Sequence, residues 1–134
     1  MKKGKAVSFT IGLPPRTKKN SQQILKHGNR MFIAPSKVYK QYEKDCYPFL
    51  LKYRAMMINE PVNIKCLFYM PTKRKCDLTN LLEAVDDILT HYDIIADDNY
   101  SIVQSHDGSR VFVDKENPRT EIVIEWIDEE KRNE

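Results

Sequence analysis

Glycine is scarce in this chain, with four among 134 residues. Phosphate-binding loops of the Walker and dinucleotide types need several glycines at fixed spacing, and no such run occurs. Both kinds of nucleotide cradle are therefore excluded. Cysteine is scarce as well, and the three in the chain are Cys46, Cys66 and Cys76. Their odd number and wide spacing suit neither a disulfide framework nor a zinc knuckle, so reduced thiols are expected.

The sequence also lacks a long apolar run, because no stretch approaches the roughly 18 to 20 residues that a membrane-spanning helix needs. The segment 1–15 is basic at its start but has no apolar core of signal-peptide length. We therefore expect a cytoplasmic protein with no membrane partner. With 41% hydrophobic residues the chain can bury one modest core, which predicts a single domain over residues 1–134.

Charge, by contrast, is plentiful and is divided unevenly along the chain. Residues 1–75 contain 17 Lys and Arg against 3 Asp and Glu, whereas residues 76–134 contain 5 against 16. A basic segment suits a polyanion, and clustered carboxylates suit a hard cation such as Mg²⁺. A metal-dependent enzyme that acts on nucleic acid needs both. Alternatively, the two halves pair with each other and leave a mixed surface.

Short alternating segments predict the strands of this protein, since alternation of apolar and polar residues is typical of a strand with one buried face. These segments are Val7–Gly12, Val62–Tyr69, Arg110–Val113 and Glu121–Trp126. The last two flank a polar turn, residues 114–118, and are predicted to form a hairpin with each other. Residues 101–105 are predicted to form a further short strand.

Two segments are predicted to be helical. The first has Ser36 as its N-cap, and Pro48 should kink or divide it near Cys46. The second, from about Leu78 to His91, has its apolar residues on one side of a helical wheel. Together these elements predict one small α+β domain, with a mixed or antiparallel sheet of about four to five strands packed by two main helices.

The segment between the first strand and the first helix, residues 16–33, is polar and is predicted to be a long basic loop with a small hairpin from Ile24 to Ile33. Its positive charge favours contact with the backbone phosphates of a nucleic acid over a merely solvated surface. The candidate contacts are Arg16, Lys18, Lys19 and, just before the second helix, Lys73, Arg74 and Lys75. The charged segment 128–134 is predicted to be a flexible tail.

A row of oxygen-bearing side chains follows one flank of the second helix on the wheel. The row consists of Asp77, Asn80, Glu83 and Asp87. Such a row is a natural wall for a metal site. Two alternatives stay open, because an aspartate such as Asp77 is also common at a helix N-cap, and because Asp86 and Asp87 could be plain solvated residues.

A pair of adjacent aspartates, Asp97 and Asp98, follows the apolar run Ile94–Ala96. If that run is buried, it brings the pair to the edge of the core. Adjacent carboxylates repel each other unless a cation or a basic side chain compensates, which favours a metal site. A capped turn is the alternative for this pair. A turn is also the favoured interpretation of His106 and Asp107.

The order of these features resembles the RusA family of Holliday junction resolvases. A short basic run precedes D-L-x-N-L, residues 77–81, and an amphipathic helix, an apolar patch and D-D follow. The resemblance is densest from Lys73 to Val103 and extends more weakly over most of the chain. Members of that family are small homodimeric endonucleases of phages and prophages, and their acidic residues bind Mg²⁺ at an active site formed around a four-way DNA junction.

The resemblance implies a RusA-like fold and a Mg²⁺-dependent endodeoxyribonuclease that resolves Holliday junctions as a homodimer, with Mn²⁺ as an alternative metal. It places the catalytic, metal-binding carboxylates on Asp77, Asp98 and Asp97. It gives Asn80 a supporting role. The basic runs before the helix and in the first loop would then contact DNA.

Two positions depart from the family pattern D-x-D-N-x-x-K, because Thr79 stands where the second aspartate belongs and Glu83 where the lysine belongs. We hypothesise that Glu83 supplies the missing carboxylate as a catalytic and metal-binding residue, since it lies on the same helix flank as Asp77. Two other functions stay open. One is a degenerate or non-catalytic protein that binds DNA, and the other is a nuclease for other branched DNA.

Overall fold

The structure is a computed structural model that describes residues 5–18, 22–35 and 37–128. Its elements are β1 (Ala6–Ile11), β2 (Gln22–His27), β3 (Arg30–Pro35), α1 (Lys37–Asp45), α2 (Tyr47–Leu50), β4 (Val62–Met70), α3 (Leu78–His91), β5 (Val103–Ser105), β6 (Arg110–Val113) and β7 (Arg119–Trp126). The predicted α+β class is confirmed, with a five-stranded mixed sheet and two main helices, α1 and α3. No helix in the described part is long and apolar enough to cross a membrane.

Two strands, β7 and β4, occupy the interior of the main sheet. The order is β1-β7-β4-β5, and β6 pairs with the other half of β4. β7 runs antiparallel to both neighbours, with Ala6 opposite Glu125 on one side and Ile64 opposite Ile124 on the other. β5 and β6 run parallel to β4. The sheet is therefore mixed, and its outermost strands are β1 at one edge and β5 with β6 at the other.

The predicted hairpin between β6 and β7 is wrong. Both sides of β7 are already paired, and β6 lies beside β4 instead, with Arg110 opposite Leu67. The physical reason is burial: every second residue of β7 is buried, as in an interior strand, whereas all residues of β6 are exposed, as at an edge. Alternation indicates a strand but does not specify its partner.

One face of the sheet and the apolar face of α3 form the core. The predicted inward residues of β4, from Val62 to Phe68 at every second position, are at most 1% exposed. The buried residues of α3 are Leu81, Ala84, Val85, Ile88 and Leu89. Leu78, which the wheel placed on the same side, is 36% exposed because it lies in the first turn, at the rim of this core. The core thus holds the apolar face of α3 against the sheet. The flank of α3 that carries Asp77, Asn80, Glu83 and Asp87, here called the acidic flank, faces outward.

The two shorter predictions about the N-terminal half are also answered by the structure. α1 ends at Asp45 and α2 begins at Tyr47 with Pro48 in its first turn, which confirms the division near Cys46. Ser36, the predicted N-cap, lies outside the described residues. The hairpin predicted inside the basic loop is confirmed as β2 and β3, which turn at Gly28 with a positive φ of 62°.

The C-terminal segment and the three cysteines were also the subject of predictions. Of the predicted flexible tail, residues 129–134 lie outside the described part, so the tail stays a prediction, and its first residue, Asp128, is buried. All three cysteines are free, and Cys46 and Cys66 are buried in the core. Burial raises the pKa of the Cys46 thiol to about 12, so this thiol is an inert packing residue.

Candidate active site

Asp77 stands at the N-cap position of α3 without acting as a cap. Its backbone is extended, as an N-cap requires, but its side chain accepts no hydrogen bond from the helix N–H groups. Its Oδ2 instead lies 3.5 Å from the side-chain amide of Asn80. The purely structural interpretation of Asp77 therefore loses its main support, because the exposed carboxylate is not used to cap the helix.

Asp98 lies among other carboxylates because of the path that the chain takes after α3. Ile94 and Ile95 are fully buried, as predicted, and Ile58 holds this segment through backbone hydrogen bonds of 3.0 and 2.9 Å. Burial and the charges of Asp87, Asp97 and Asp86 raise the pKa of Asp98. Such mutual repulsion is what a bound cation would relieve.

Asp97 has a different role from its neighbour. Its Oδ1 accepts the N–H of Asp98 at 2.8 Å, and its Oδ2 accepts the side-chain amide of Asn99 at 2.8 Å. These two hydrogen bonds lower the pKa of Asp97. The capped-turn alternative therefore applies to Asp97, whereas Asp98 interacts with the acids of α3.

Asp86 and His106 form a half-buried pair that sequence reasoning missed. The His106 Nε2 lies 2.9 Å from Asp86 Oδ2, and the ring Nδ1 lies 2.9 Å from the carbonyl of Ile64. Because a carbonyl can only accept, Nδ1 carries a proton, and the ring shares a second proton with the carboxylate. Burial by itself lowers the pKa of His106, but the hydrogen bond and charge of Asp86 outweigh it and raise the pKa.

The other oxygen of Asp86 is unusual. Asp86 Oδ1 is buried and has no hydrogen-bond partner among the described residues. Burial, more than the nearby charges of Asp87 and Glu83, raises the pKa of Asp86. Asp86 Oδ1 therefore lacks a hydrogen-bond donor, although His106 binds Asp86 Oδ2. Its position on the helical wheel, about 40° from Leu82 at the edge of the apolar stripe, was the available signal that Asp86 is not solvated.

The predicted phosphate contacts divide into two groups. Arg16, Arg74 and Lys75 line one hollow of about 260 Å³, together with Pro14, Pro15, Thr17, Met70, Pro71, Thr72 and Cys76. This hollow, the basic hollow, ends at the residue before Asp77. Lys73 is exposed outside it, and Lys19 lies outside the described residues.

Lys18 faces the acids instead of the basic hollow. Its ammonium lies 2.8 Å from Asp87 Oδ2, and both side chains are partly exposed. The same ammonium is 5.8 Å from the centre of the Tyr39 ring. Asp87 is therefore not a plain solvated residue, and the first loop contributes a cation to the acidic flank of α3.

The acidic flank fits a hard divalent cation by its chemistry, although it is not a closed cage. Within residues 5–18, 22–35 and 37–128, no three Asp, Glu, His or Cys side chains lie close enough to hold one ion. At 1.5 Å per residue, α3 separates Asp77 from Asp87 by about 15 Å along its axis. The donors are nonetheless all carboxylates, Asp86 Oδ1 is orphaned, and Asp98 is under repulsion. Since Mg²⁺ is usually held by one or two carboxylates plus substrate phosphates, a closed cage is not required.

Comparison with known families gives one clear match. The profile of the family described as Endodeoxyribonuclease RusA matches residues 13–125, which is most of the chain. The matched region includes the basic hollow, all of α3 and the Asp97-Asp98 turn. A comparison with curated proteins finds no significant match. The extent of the family match is sufficient on its own, and the chain belongs to the RusA endodeoxyribonuclease family.

Proposed function

We propose that this protein is a Mg²⁺-dependent endodeoxyribonuclease that resolves Holliday junctions by paired phosphodiester hydrolysis. One observation supports this most directly. The basic hollow ends at Cys76, directly before Asp77 at the start of α3, and α3 then carries Glu83 and Asp87 along one flank. A cationic surface for the DNA backbone is therefore continuous with a carboxylate surface for a metal.

Asp77 and Asp98 are the proposed direct ligands of the metal, with Glu83 and Asp97 as further ligands or as acceptors that position the attacking water. No three of these carboxylates lie close enough in the described residues to hold one ion, so bound DNA and metal must draw them together. When bound there, Mg²⁺ or Mn²⁺ would supply a nucleophilic water and stabilisation of the leaving 3′ oxygen. Asp97 suits a positioning role, because hydrogen bonds from its own turn already occupy both of its oxygens. Asn80 supports Asp77 through their side-chain contact.

The basic residues hold the DNA backbone. Arg16, Arg74 and Lys75 in the basic hollow bind phosphates next to Asp77, and Lys73 and Lys19 extend this footprint. These contacts carry little sequence information and make the affinity fall steeply with salt. Because the basic run directly precedes Asp77, a phosphate bound there lies beside the metal ligands.

Lys18 supplies a cation to the acidic flank of α3 from outside the helix. The family pattern has a lysine at the position of Glu83, so this chain lacks that charge on the helix. The Lys18 ammonium reaches Asp87, which is one helical turn beyond Glu83 on the same flank. We infer that Lys18 takes over the charge of the missing lysine while Glu83 adds a carboxylate.

The assembly proposed for this reaction is a homodimer with two-fold symmetry. A four-way junction has approximate two-fold symmetry and is resolved by two incisions in opposed strands. A C2 dimer presents two identical sites related in the same way. Each protomer therefore cuts one strand.

The function is tested with a panel of synthetic DNA structures. We expect the purified protein to cut a four-way junction with paired incisions in Mg²⁺ or Mn²⁺, and to leave linear duplex intact. EDTA should abolish the cutting, and affinity should fall with a steep slope of log K against log salt. Preference for flaps or forks would identify a nuclease for other branched DNA. Binding without cutting in either metal would identify a DNA-binding protein and refute the proposal.

Glu83→Gln is expected to slow metal-dependent junction cleavage by about 100-fold, since it removes one carboxylate from the site without changing its size. Junction affinity should stay within about twofold, because Glu83 makes no proposed contact to DNA. Single-turnover cleavage and gel-shift binding measure the two quantities. Full activity in Glu83→Gln would refute its assignment as the replacement carboxylate.

Lys18→Gln is the matched substitution, because it also replaces one charged group by a neutral amide on the same flank of α3. If Lys18 contacts only the phosphates of the DNA backbone, Lys18→Gln weakens DNA binding and leaves the single-turnover rate at saturating enzyme unchanged. If it acts at the acids, the saturated rate falls, and Lys18→Arg restores part of it.

A further inference from the structure

Strand β6 has an open edge. β4 lies on one side of it, and none of the strands in the described ranges lies on the other. Its apolar residues Val111, Phe112 and Val113 are 41%, 38% and 50% exposed. An open apolar edge is a template for pairing with another chain, and natural edges are usually blocked by lysine, proline or a bulge. The run Val111–Val113 contains no lysine, proline or bulge, although β6 is short, at four residues, which itself limits the extent of pairing.

The backbone of β6 alternates between its two sides. The N–H of Asp114 donates to the carbonyl of Met70 at 2.9 Å, so Asp114 faces β4. In a parallel pair every second residue bonds to the same neighbour, so Phe112 faces β4 as well. The N–H and C=O groups of Val111 and Val113 therefore point toward the open side, where another strand can use them.

We propose that a second copy of β6 pairs at this edge, antiparallel to the first, about a two-fold axis between the two Phe112 residues. The inference rests on the two-fold dimer of the proposed function and names its surface. In this register Val111 lies opposite Val113 of the second copy and exchanges both backbone hydrogen bonds with it. The two sheets then continue into one.

Charge complementarity selects a second copy as the occupant. The segment R-V-F-V-D, residues 110–114, is self-complementary when antiparallel, since Arg110 falls opposite Asp114 of the other chain. Arg110 forms no ion pair with the residues that the structure describes. Asp114 Oδ2 binds Arg119 at 2.9 Å, and Asp114 Oδ1 accepts the N–H groups of Glu116 and Asn117 at 3.2 Å. A carboxylate has about four acceptor positions, so about one remains for Arg110 of the second copy.

Aromatic packing supports the same register. Phe112 stacks on Tyr69, with ring centroids 5.1 Å apart and planes at 18°. Tyr69 also carries the Arg119 guanidinium 3.7 Å from its ring centroid. Two-fold pairing brings the second Phe112 directly opposite the first, as a non-hydrogen-bonded pair with close side chains. The rings then form a continuous aromatic row across the junction of the two sheets.

Cysteine cross-linking tests the register. Directly opposite Cα atoms of a non-hydrogen-bonded pair are about 4.5 Å apart, within the range that a disulfide spans. In a Cys76→Ser background, which leaves only the buried Cys46 and Cys66, Phe112→Cys should therefore form a disulfide-linked dimer under mild oxidation. The matched control is Val113→Cys, whose symmetry mate is diagonal and too distant. Equal or faster cross-linking of Val113→Cys would overturn the register.

Val111→Pro tests the edge without removing the aromatic row. Proline is tolerated where the N–H faces away from the sheet, and it deletes both symmetry-related N–H donors at this contact. Sedimentation equilibrium should show a dimer dissociation constant at least about tenfold weaker than that of the wild type, with an unchanged circular dichroism spectrum. An unchanged dissociation constant would refute the edge as the dimer surface.

Junction cleavage measured on the same samples separates this inference from the proposed function. If Val111→Pro nicks junctions singly while the wild type makes paired incisions, both proposals are supported. If the wild type sediments as a monomer at every concentration but still cuts, the dimer and its surface are refuted and the nuclease remains. If the wild type dimerises through β6 and never cuts, the surface is supported and the nuclease is refuted.

Discussion

Asp98→Asn should slow cleavage of a four-way junction by about 1,000-fold, because it removes a proposed metal ligand while keeping the shape of the side chain. Junction binding should survive or tighten, since one negative charge beside the DNA backbone is lost. Single-turnover rates in Mg²⁺ and gel-shift affinities without metal measure the two effects. Asp77→Asn should behave in the same way, and the double variant should lose little more, as residues that act as a unit do.

The matched control is Asp93→Asn. Asp93 loses the same charge at the end of α3, and its positive φ of 58° is a backbone conformation that asparagine tolerates. Its rate should stay within about twofold of wild type, because Asp93 is not among the acids whose charges act on Asp98. If Asp98→Asn cuts as fast as Asp93→Asn, Asp98 is not a ligand.

His106→Ala should lower the free energy of unfolding by about 2 to 3 kcal/mol, because it leaves the half-buried Asp86 carboxylate without its partner. For a domain of this size the melting temperature should fall by roughly 8 °C. The control is Asp107→Ala, whose exposed side chain should matter by less than about 0.5 kcal/mol. In a double-mutant cycle, Asp86→Asn with His106→Ala should cost less than the sum of the single changes.

The pH dependence of this loss has a defined sign. Asp86 raises the pKa of His106 above its ordinary value of 6.5 despite the opposing effect of burial. A histidine with a raised folded pKa contributes stability that is full below its unfolded pKa and is lost as the pH rises through the folded pKa. Urea unfolding in EDTA should therefore show the largest effect of His106→Ala near about pH 6 and a smaller effect near about pH 9. An effect that is constant across this range would exclude a charged pair.

Local patterns were sufficient to predict the elements that carry the site. The alternation of β4 and the wheel of α3 each show one buried face, and both elements formed where they were predicted. The partner of β6 was not predictable in this way, because an alternating segment fits either side of any strand with an open edge. β6 cannot pair with β7 because β1 and β4 occupy both sides of β7, and this arrangement is set by tertiary packing.

The acidic residues of the site were likewise predictable only in part. Residues on one helix flank, such as Glu83 and Asp87, can be grouped from spacing alone. The approach of Asp98 to them depends on the buried return of residues 94–96. The pairing of Asp86 with His106 joins residues 20 apart across the sheet edge. Contacts of this kind are set by tertiary packing, which no local period encodes.

The interior position of β7 also has a consequence for synthesis of the protein. The only sheet partner of β1 within the described ranges is β7, which is translated after every other described strand. Until residues 119–126 have left the ribosome, β1 has no strand partner among the described elements and one side of β4 is unpaired. Such distant pairing makes folding slow relative to local structure. The carboxylates of α3 therefore have no assembled scaffold on a nascent chain, and the potential nuclease matures only once β7 joins the two halves of its sheet.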